Sequence, residues 1–314
     1  MKKLIKYTAL ASIFCASGFY ASSAIALEMP PLERVMQENI IKQKQAKQQP
    51  SQIPKIEKPK IEKEEQEDLP RIFSYTKIKK DGNIKIYKAR EAEIFIQEIK
   101  LIGKTHIKSL LTKPISWNKD INEGEPEFER KNMKGFLKLA QGNPTSIING
   151  QFFNGNTNPT TLSFGLKSDG EIKSVGADNR GRQKKILTII NRHIKTLPYS
   201  WENFSKKTGA FALVGFDFNI PNRSKSRVGR NYLCPKNVNA RNTSHTLVSL
   251  FGQEMTDEEG LQELKKYGCK KENIIKLDGG GSARFWHKNT ALFGFSKDKP
   301  DYRTIPHMIG FYEK

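Results

Sequence analysis

The chain has 314 residues, 36% of them hydrophobic and 28% charged, enough for one large domain or two small ones with appendages. Its 54 basic and 33 acidic residues leave a net charge of +21, which suits a polyanionic partner such as a phosphorylated glycan, an anionic lipid surface or nucleic acid. Three cysteines and five scattered histidines, with no Cys-x-x-Cys spacing and no helical His pair, exclude a structural zinc site.

Met1-Lys2-Lys3-Leu4-Ile5-Lys6 leads into an apolar run of small residues that ends at Leu27, and Ala24-Ile25-Ala26 has the small-x-small form read by signal peptidase. A signal peptide over 1–26 is expected, and with it export to the periplasm or the medium. The alternative is an uncleaved segment that holds the chain at the inner membrane, since the run is nearly long enough to span a bilayer. Residues 27–70 are rich in Lys, Glu, Gln and Pro and contain no aromatic residue. Such a segment buries too little apolar surface to offset its ordering entropy, and it reads as a disordered linker. The positive excess lies beyond it: residues 71–314 carry 43 basic and 24 acidic side chains, a net of +19. Cys15 leaves with the signal, and Cys234 and Cys269 remain as either one disulfide or two buried thiols.

Folded structure is expected from Arg71. Residues 72–78 and 84–88 read as strands across the Asp81-Gly82 turn, and 93–102 as a third. Met133, Phe136, Leu137 and Ala140 share one helical face, predicting a helix over 128–140 closed by Gly142 and Pro144. Residues 146–149 form an apolar strand that opens into a polar loop with Gly150, Gln151 and Asn154. Strands at 162–166 and 172–175 flank Ser168-Asp169-Gly170, a second hairpin signal. Further strands are predicted at 186–190, 210–218 and 246–251, with a short helical turn at 201–204. A basic loop holds Arg223, Lys225, Arg227 and Arg230. Thr256-Asp257-Glu258-Glu259 has the form of a capping box, starting a helix that turns Leu261, Leu264 and Tyr267 inward and stops at Gly268. Strands at 274–277, 283–286, 291–295 and 305–312 complete the chain. The pattern predicts an α+β fold: a mixed, mostly antiparallel β-sheet with a few packed helices, in a single globular domain over 71–314.

The stretch Ile274-Ile275-Lys276-Leu277-Asp278-Gly279-Gly280-Gly281-Ser282 organises the functional reading. A buried strand runs into an acid, three glycines and a hydroxyl, so the backbone can approach a ligand closely and turn N–H groups toward an anion. A tight turn held by an Asx hydrogen bond is the plainer reading of the same residues. Taken together, several segments resemble the phosphodiester glycosidase domain family, which includes the lysosomal uncovering enzyme. Ile148-Asn149-Gly150-Gln151-Phe152-Phe153 is similar to the family's N-G-x-F-F, and Leu277-Asp278-Gly279-Gly280-Gly281-Ser282 to its L-D-G-G-G-S. Ser163-Phe164-Gly165-Leu166-Lys167 fits its hairpin, Val228-Gly229-Arg230 its G-R strand, and Arg303-Thr304-Ile305-Pro306-His307-Met308-Ile309-Gly310 its R-x-I-P-x-x-I-G. Asn231 stands where the family has Thr. Residues 234–245 look inserted, which makes Arg241 a second candidate for the family arginine.

The resemblance implies hydrolysis of a sugar-1-phosphate diester at its glycosidic bond; no cofactor and no metal ligands are expected from the residues, and the sequence does not decide a divalent-ion requirement. On that reading Asp278 is the catalytic carboxylate, Arg230 grips phosphate and Asn149 binds a sugar hydroxyl or the phosphate. Gly150, Phe153, Gly279, Gly280, Gly281, Ser282, Arg303 and Arg241 are candidate substrate contacts. His307 and His245 read as packing or surface residues. The implied partner is a phosphate-containing glycan, with transient envelope association through the basic domain and no specific nucleic acid, since no RRM-like, OB-like or helix-turn-helix pattern is present. A non-catalytic glycan- or phosphate-binding module of the same fold is the alternative. Either reading requires the loops after the 148 and 277 strands to meet in one cleft beside a guanidinium.

Overall fold

A computed structural model of the chain describes residues 70–118, 124–177, 183–219, 225–288, 290–293 and 303–313. The expected signal peptide over 1–26 and, apart from Pro70, the expected linker over 27–70 lie outside the described residues. In chain order the elements are β1 (Tyr75–Asp81), β2 (Ile84–Ala89), β3 (Ile94–Lys100), β4 (His106–Leu111), β5 (Pro114–Asn118), β6 (Glu125–Phe128), α1 (Met133–Leu139), β7 (Ser146–Asn149), β8 (Thr160–Thr161), β9 (Leu166–Ser168) and β10 (Glu171–Ser174). They continue with β11 (Lys184–Ile190), β12 (His193–Pro198), α2 (Trp201–Lys206), β13 (Phe211–Asp217), β14 (Val228–Pro235), β15 (Thr246–Met255), α3 (Asp257–Lys266), β16 (Ile275–Lys276), β17 (Arg284–His287), β18 (Thr290–Phe293) and β19 (His307–Tyr312).

The fold is α+β, and the strand pairings among the described residues are antiparallel. They form three sheets. The largest has 11 strands along the path β1-β2-β3-β15-β14-β16-β13-β11-β12, with β9 and β10 attached at β13. The second runs β18-β17-β7-β19-β4, and the third β5-β6-β8.

Side-chain alternation explains why the first two sheets stack. Phe95 and Ile99 of β3 and Leu247 and Phe251 of β15 enter a core shared with Ile148 of β7, Phe285 of β17 and Ile309 and Phe311 of β19. Phe285 stacks on Phe95 with ring centroids 4.4 Å apart. The intervening residues point the other way. Ile94, Ile96, Val248 and Leu250 pack under Leu261 and Leu264 of α3. Ile147 and Met308 pack under Met133 and Phe136 of α1. Phe204 of α2 covers Ile186, Ala212 and Val214. The two large sheets are thus sandwiched between helices.

Local chemistry sets the helix ends. The Thr256 hydroxyl accepts from the Glu259 N–H at 3.2 Å, and Glu259 accepts from the Thr256 N–H at 2.9 Å, which closes the capping box. Glu259 is buried. Burial pushes its carboxyl up, but Arg71, Arg227 and the Thr256 N–H overcome this and hold its pKa at about 2. The first residue of the 71–314 segment is thereby tied to α3. Asp169 and Gly170 have φ of 55° and 84°, the left-handed pair that a two-residue hairpin between β9 and β10 requires.

Two expectations differ from the structure. The first helix begins at Met133 rather than 128: Asn132 caps it by accepting from the Gly135 N–H at 2.9 Å, and Glu125–Phe128 is a strand between β5 and β8. Phe128 is buried in the inter-sheet core, on a strand rather than on the helical face of Met133 and Phe136. Strands β4, β5 and β12 had no sequence signal, because Lys, Ser and Thr interrupt their apolar residues.

Cys234, in β14, and Cys269, just past α3, are disulfide-bonded with Cα atoms 6.0 Å apart. The bridge closes a loop across 35 residues that contains β15 and α3. Reduction, or a Cys234→Ala/Cys269→Ala double variant, is expected to lower unfolding free energy by about 3 kcal/mol, read from urea transitions with and without reductant.

Candidate functional site

Strand β7 sits in the middle of the second sheet and β16 in the middle of the first, and both end at the same edge of the sandwich. Asn149, the last residue of β7, joins them. Its Nδ2 donates to the Asp278 carbonyl at 2.6 Å, while its Oδ1 accepts from the Arg284 N–H at 3.0 Å and from Asn231 Nδ2. Backbone bonds from the Asp278 N–H to the Gly150 carbonyl (3.2 Å) and from the Leu277 N–H to the Asn231 carbonyl (3.0 Å) complete the junction. Asn149 is buried, and its amide is engaged by the protein itself.

Gly150 is required by a close approach: a Cβ there would lie 2.2 Å from His307 Nδ1. That nitrogen accepts from the Gln151 N–H at 3.1 Å, so the other ring nitrogen carries the proton and donates to Ser109 Oγ at 2.8 Å. Burial holds the His307 pKa down to about 3, and the ring is neutral. His307 shapes the turn after β7. His245 is exposed and packs against His193, with ring centroids 4.1 Å apart and the planes tilted by 42°.

The glycine stretch is a single 3₁₀ turn over Gly280–Ser282. The Asp278 carboxylate accepts from the Gly279 N–H at 3.0 Å, an Asx-type bond, and Ser282 N–H and Ala283 N–H close onto the Gly279 and Gly280 carbonyls. The N–H groups of Gly280 and Gly281 are left out of the turn's own bonding. Gly280 has φ of 57°, and a Cβ on Gly279 would stand 2.6 Å from the Gly229 carbonyl, so neither position tolerates a side chain. Arg284 is buried beneath the turn. Its guanidinium donates to the carbonyls of Gly281 (2.6 Å), Ala283 (2.9 Å) and Arg303, which locks the turn to the segment before β19.

These segments frame a cleft of about 410 Å³, lined by residues 278–282, Arg230, Asn231, Lys276, Phe152, Phe153 and Arg303, with further apolar contacts. At its base Asp257 gathers Arg230 Nη1 (3.3 Å), Lys276 Nζ and the Tyr232 hydroxyl (2.7 Å). Burial pushes the Lys276 ammonium down and Asp257 partly restores it. Arg230 also donates to the carbonyls of Met255 and Ser226, at 3.2 and 3.1 Å. Asp257 thus pairs with both cations at the base. At the rim Phe153 lies between two guanidiniums, Arg130 at 5.2 Å and Arg303 at 5.5 Å from the ring centroid. Arg130 is fixed by the carbonyls of Thr304, Gly155 and Thr157. Arg303 is exposed and has no carboxylate partner within salt-bridge distance among the described residues. Phe152 packs with Phe164 and Phe216, and the three rings line the apolar side of the cleft.

Burial raises the Asp278 carboxyl to a pKa of about 6, against the opposing pull of Ser282, Arg303, the Gly279 N–H and Arg284. The side chain is half-buried, ionised at neutral pH and poised to take a proton just below it. The buried Ser282 hydroxyl favours the ionised form of Asp278 as a hydrogen-bond donor, although no bond of regular geometry joins the two among the described residues.

The structure thus brings Asn149, Gly150, Phe153, Arg230, Gly279, Gly280, Gly281, Ser282, Asp278 and Arg303 to one place. Asn149 and Gly150 lie behind the cleft wall, and the others line it. Arg241 lies on the exposed loop after β14, away from the cleft lining. Sequence reasoning missed Lys276, Asp257, Arg284 and Arg130. Lys276 and Arg284 carried a readable signal, each being a lone cation among apolar strand residues. Arg130 and Asp257 carried none. No three His, Cys, Asp or Glu side chains gather as a metal site among the described residues.

Comparison with known proteins gives only distant likenesses. No family model matches the chain. No curated protein matches it either. Among solved structures, the catalytic domain of zebrafish N-acetylglucosamine-1-phosphodiester alpha-N-acetylglucosaminidase is similar with a TM-score of 0.49 and 14% identity, over 77% of this chain and 83% of that one. An exported protein of Burkholderia pseudomallei gives 0.41 and 9%, over 73% and 74% of the two chains. A Synechocystis protein gives 0.38 and 10%, over 76% and 61%.

Two outcomes follow from this geometry. Asn149→Ala strands the Arg284 N–H, the Asn231 amide and the Asp278 carbonyl, and is expected to cost about 3 kcal/mol of unfolding free energy in urea titration. For His307, the unfolded chain takes a proton below about pH 6.5 that the folded ring refuses down to about pH 3. Its contribution to stability is therefore lost progressively as pH falls through that window. Asp278, with its raised pKa, acts in the opposite sense as pH falls from about 6 toward 3.8. The stability difference between wild type and His307→Gln, measured from pH 7 to pH 4, isolates the histidine and should shrink toward acid.

Proposed function

We propose that the chain is an exported hydrolase that cleaves a sugar-1-phosphate diester at its glycosidic bond, on an envelope or extracellular glycan. One observation carries this reading: an Asp278 carboxyl with a pKa of about 6 shares a 410 Å³ cleft with the exposed Arg303 guanidinium and the amides of the glycine turn. The chemistry needs little more. As the bond from the anomeric carbon to the bridging oxygen breaks, that oxygen leaves with the phosphate, and water supplies the oxygen of the new sugar hydroxyl. A phosphate monoester leaves far more readily than an alkoxide, so a second carboxyl acting as proton donor is dispensable, unlike in ordinary glycoside hydrolysis. Asp278, ionised at neutral pH, takes the proton from the attacking water and stabilises the positive charge that develops on the sugar. Arg303, with the Gly280 and Gly281 N–H groups, receives the charge gathering on the leaving phosphate. Arg230 and Lys276 lie below the cleft, and Phe153 holds the Arg303 guanidinium at its rim. The Cys234–Cys269 disulfide supports an oxidising compartment outside the cytoplasm, and the net +19 of residues 71–314 supports a polyanionic glycan and transient envelope association.

The test is an activated sugar-1-phosphodiester panel assayed with wild type, Asp278→Asn, Arg303→Ala and Arg241→Ala. Asp278→Asn should lose about 100-fold or more in kcat while still binding substrate. Arg303→Ala should lower kcat/KM, and Arg241→Ala should leave it unchanged. Wild-type kcat/KM should rise with pH through about 6, as the Asp278 proton is lost. Free sugar and a phosphate monoester are the expected products; release of a sugar phosphate would refute the mechanism.

A further inference from the structure

A second cavity, of about 390 Å³, opens on the large sheet and is lined by Lys85, Lys100 and Lys236 around Glu98, with Asn83, Asn237, Ser244 and Thr246 beside them. Glu98 is almost fully buried and holds the site in shape: Lys236 pairs with it, Lys85 stands 3.9 Å away and the Tyr87 hydroxyl donates at 3.3 Å. Lys100 is exposed and has no acidic partner among the described residues. The neighbouring Glu313 is engaged by the Asn83 N–H and the Thr105 hydroxyl. Three ammonium groups against the buried Glu98 carboxylate and the Glu313 carboxylate beside Asn83 leave the cavity with a net positive charge, and its polar side chains can bond to oxygen ligands.

Position gives the cavity its meaning. Arg230, Tyr232 and Cys234 are alternate residues of β14 on one face of the sheet, and Lys236, just past the strand's end, donates its N–H to the Thr246 carbonyl and pairs with Glu98. Arg230 lies under the first cleft and Lys236 lines the second, with α3 between them over Tyr232 and Cys234. Six residues of strand span about 20 Å. That is roughly twice the Debye length at 0.1 M salt, so the two sites act as separate charges. We propose that the Lys85–Lys100–Lys236 cavity is a second anion site, which binds a phosphate group of the same polymer about 20 Å from the one being cleaved. The role toward a polymeric substrate rests on the glycosidase reading above, whereas anion binding at this cavity does not.

Inorganic pyrophosphate is the probe, titrated calorimetrically into the full chain carrying Arg303→Glu, which keeps the Asp278 carboxylate and reverses the exposed cation of the first cleft. Adding Lys100→Glu should weaken binding about tenfold, or about 1.4 kcal/mol. Adding Lys134→Glu, the same charge change on an exposed position of α1, should leave it within about twofold. Equal losses in the two variants, or no loss in either, would overturn the site. In otherwise wild-type protein, Lys100→Glu should leave kcat/KM on a small diester unchanged and lower it several-fold on a chain of phosphate-linked sugars. An unchanged rate on the chain would remove the polymer role, and absence of turnover on any diester would defeat the glycosidase reading while the calorimetric result still decides the anion site.

Discussion

The junction made by Asn149 is the constraint on which the cleft depends. Two sheets that pack through apolar side chains have no intrinsic reason to align their strand ends to within hydrogen-bonding distance. Hydrophobic contact is non-directional and tolerates sliding, whereas an amide buried between sheets does not. By bonding the Asp278 carbonyl, the Arg284 N–H and the Asn231 side chain at once, Asn149 fixes the second sheet against the first at the edge where the glycine turn emerges. The carboxyl of Asp278 then inherits its position from the sandwich rather than from its own loop.

Other buried polar groups serve the same end from different sides. His307 stands neutral behind the turn after β7, and the absence of a Cβ at Gly150 lets the ring reach the Gln151 N–H. Arg284, charged and buried, offers its fork of donors to three carbonyls on two segments. A lysine could not cover the same acceptors, because its three donors radiate from one point. These residues bond to the backbone around the cleft, whereas Asp278, Arg303 and the glycine turn line it.

Charge is also divided by depth. The cations at the base of the cleft share Asp257, which makes them affordable in a desolvated position and lets them act chiefly through field. The cation at the rim is stacked on Phe153 and faces solvent. A guanidinium so placed keeps its donors available for an arriving anion, while the ring limits the conformations it must give up on binding. The same division recurs at the second cavity, where Glu98 takes the charge of Lys236 and Lys100 is left exposed.

What the sequence determined by itself was local. Alternating apolar residues marked most of the strands of the two main sheets, Thr256 and Glu259 marked the start of α3, and Asp169-Gly170 marked a hairpin, because each signal lies within a few residues of the chain. The glycine stretch and the Asn149 loop were also legible as special, since only backbone demands explain glycines at those places. The tertiary structure decided what these pieces became: three sheets rather than one, a strand where Phe128 had looked helical, and an Asn149 that joins sheets rather than lining a pocket. It also set Arg230 and Arg303 on the cleft lining and Arg241 on an exposed loop away from it, and it brought Lys276, Asp257, Arg284 and Arg130 to the same region. The physical reason is range. Turn and cap preferences are set by neighbouring dihedrals, but the pKa of Asp278 and the partners of a buried cation depend on residues up to more than a hundred positions away, brought together only when the two sheets close.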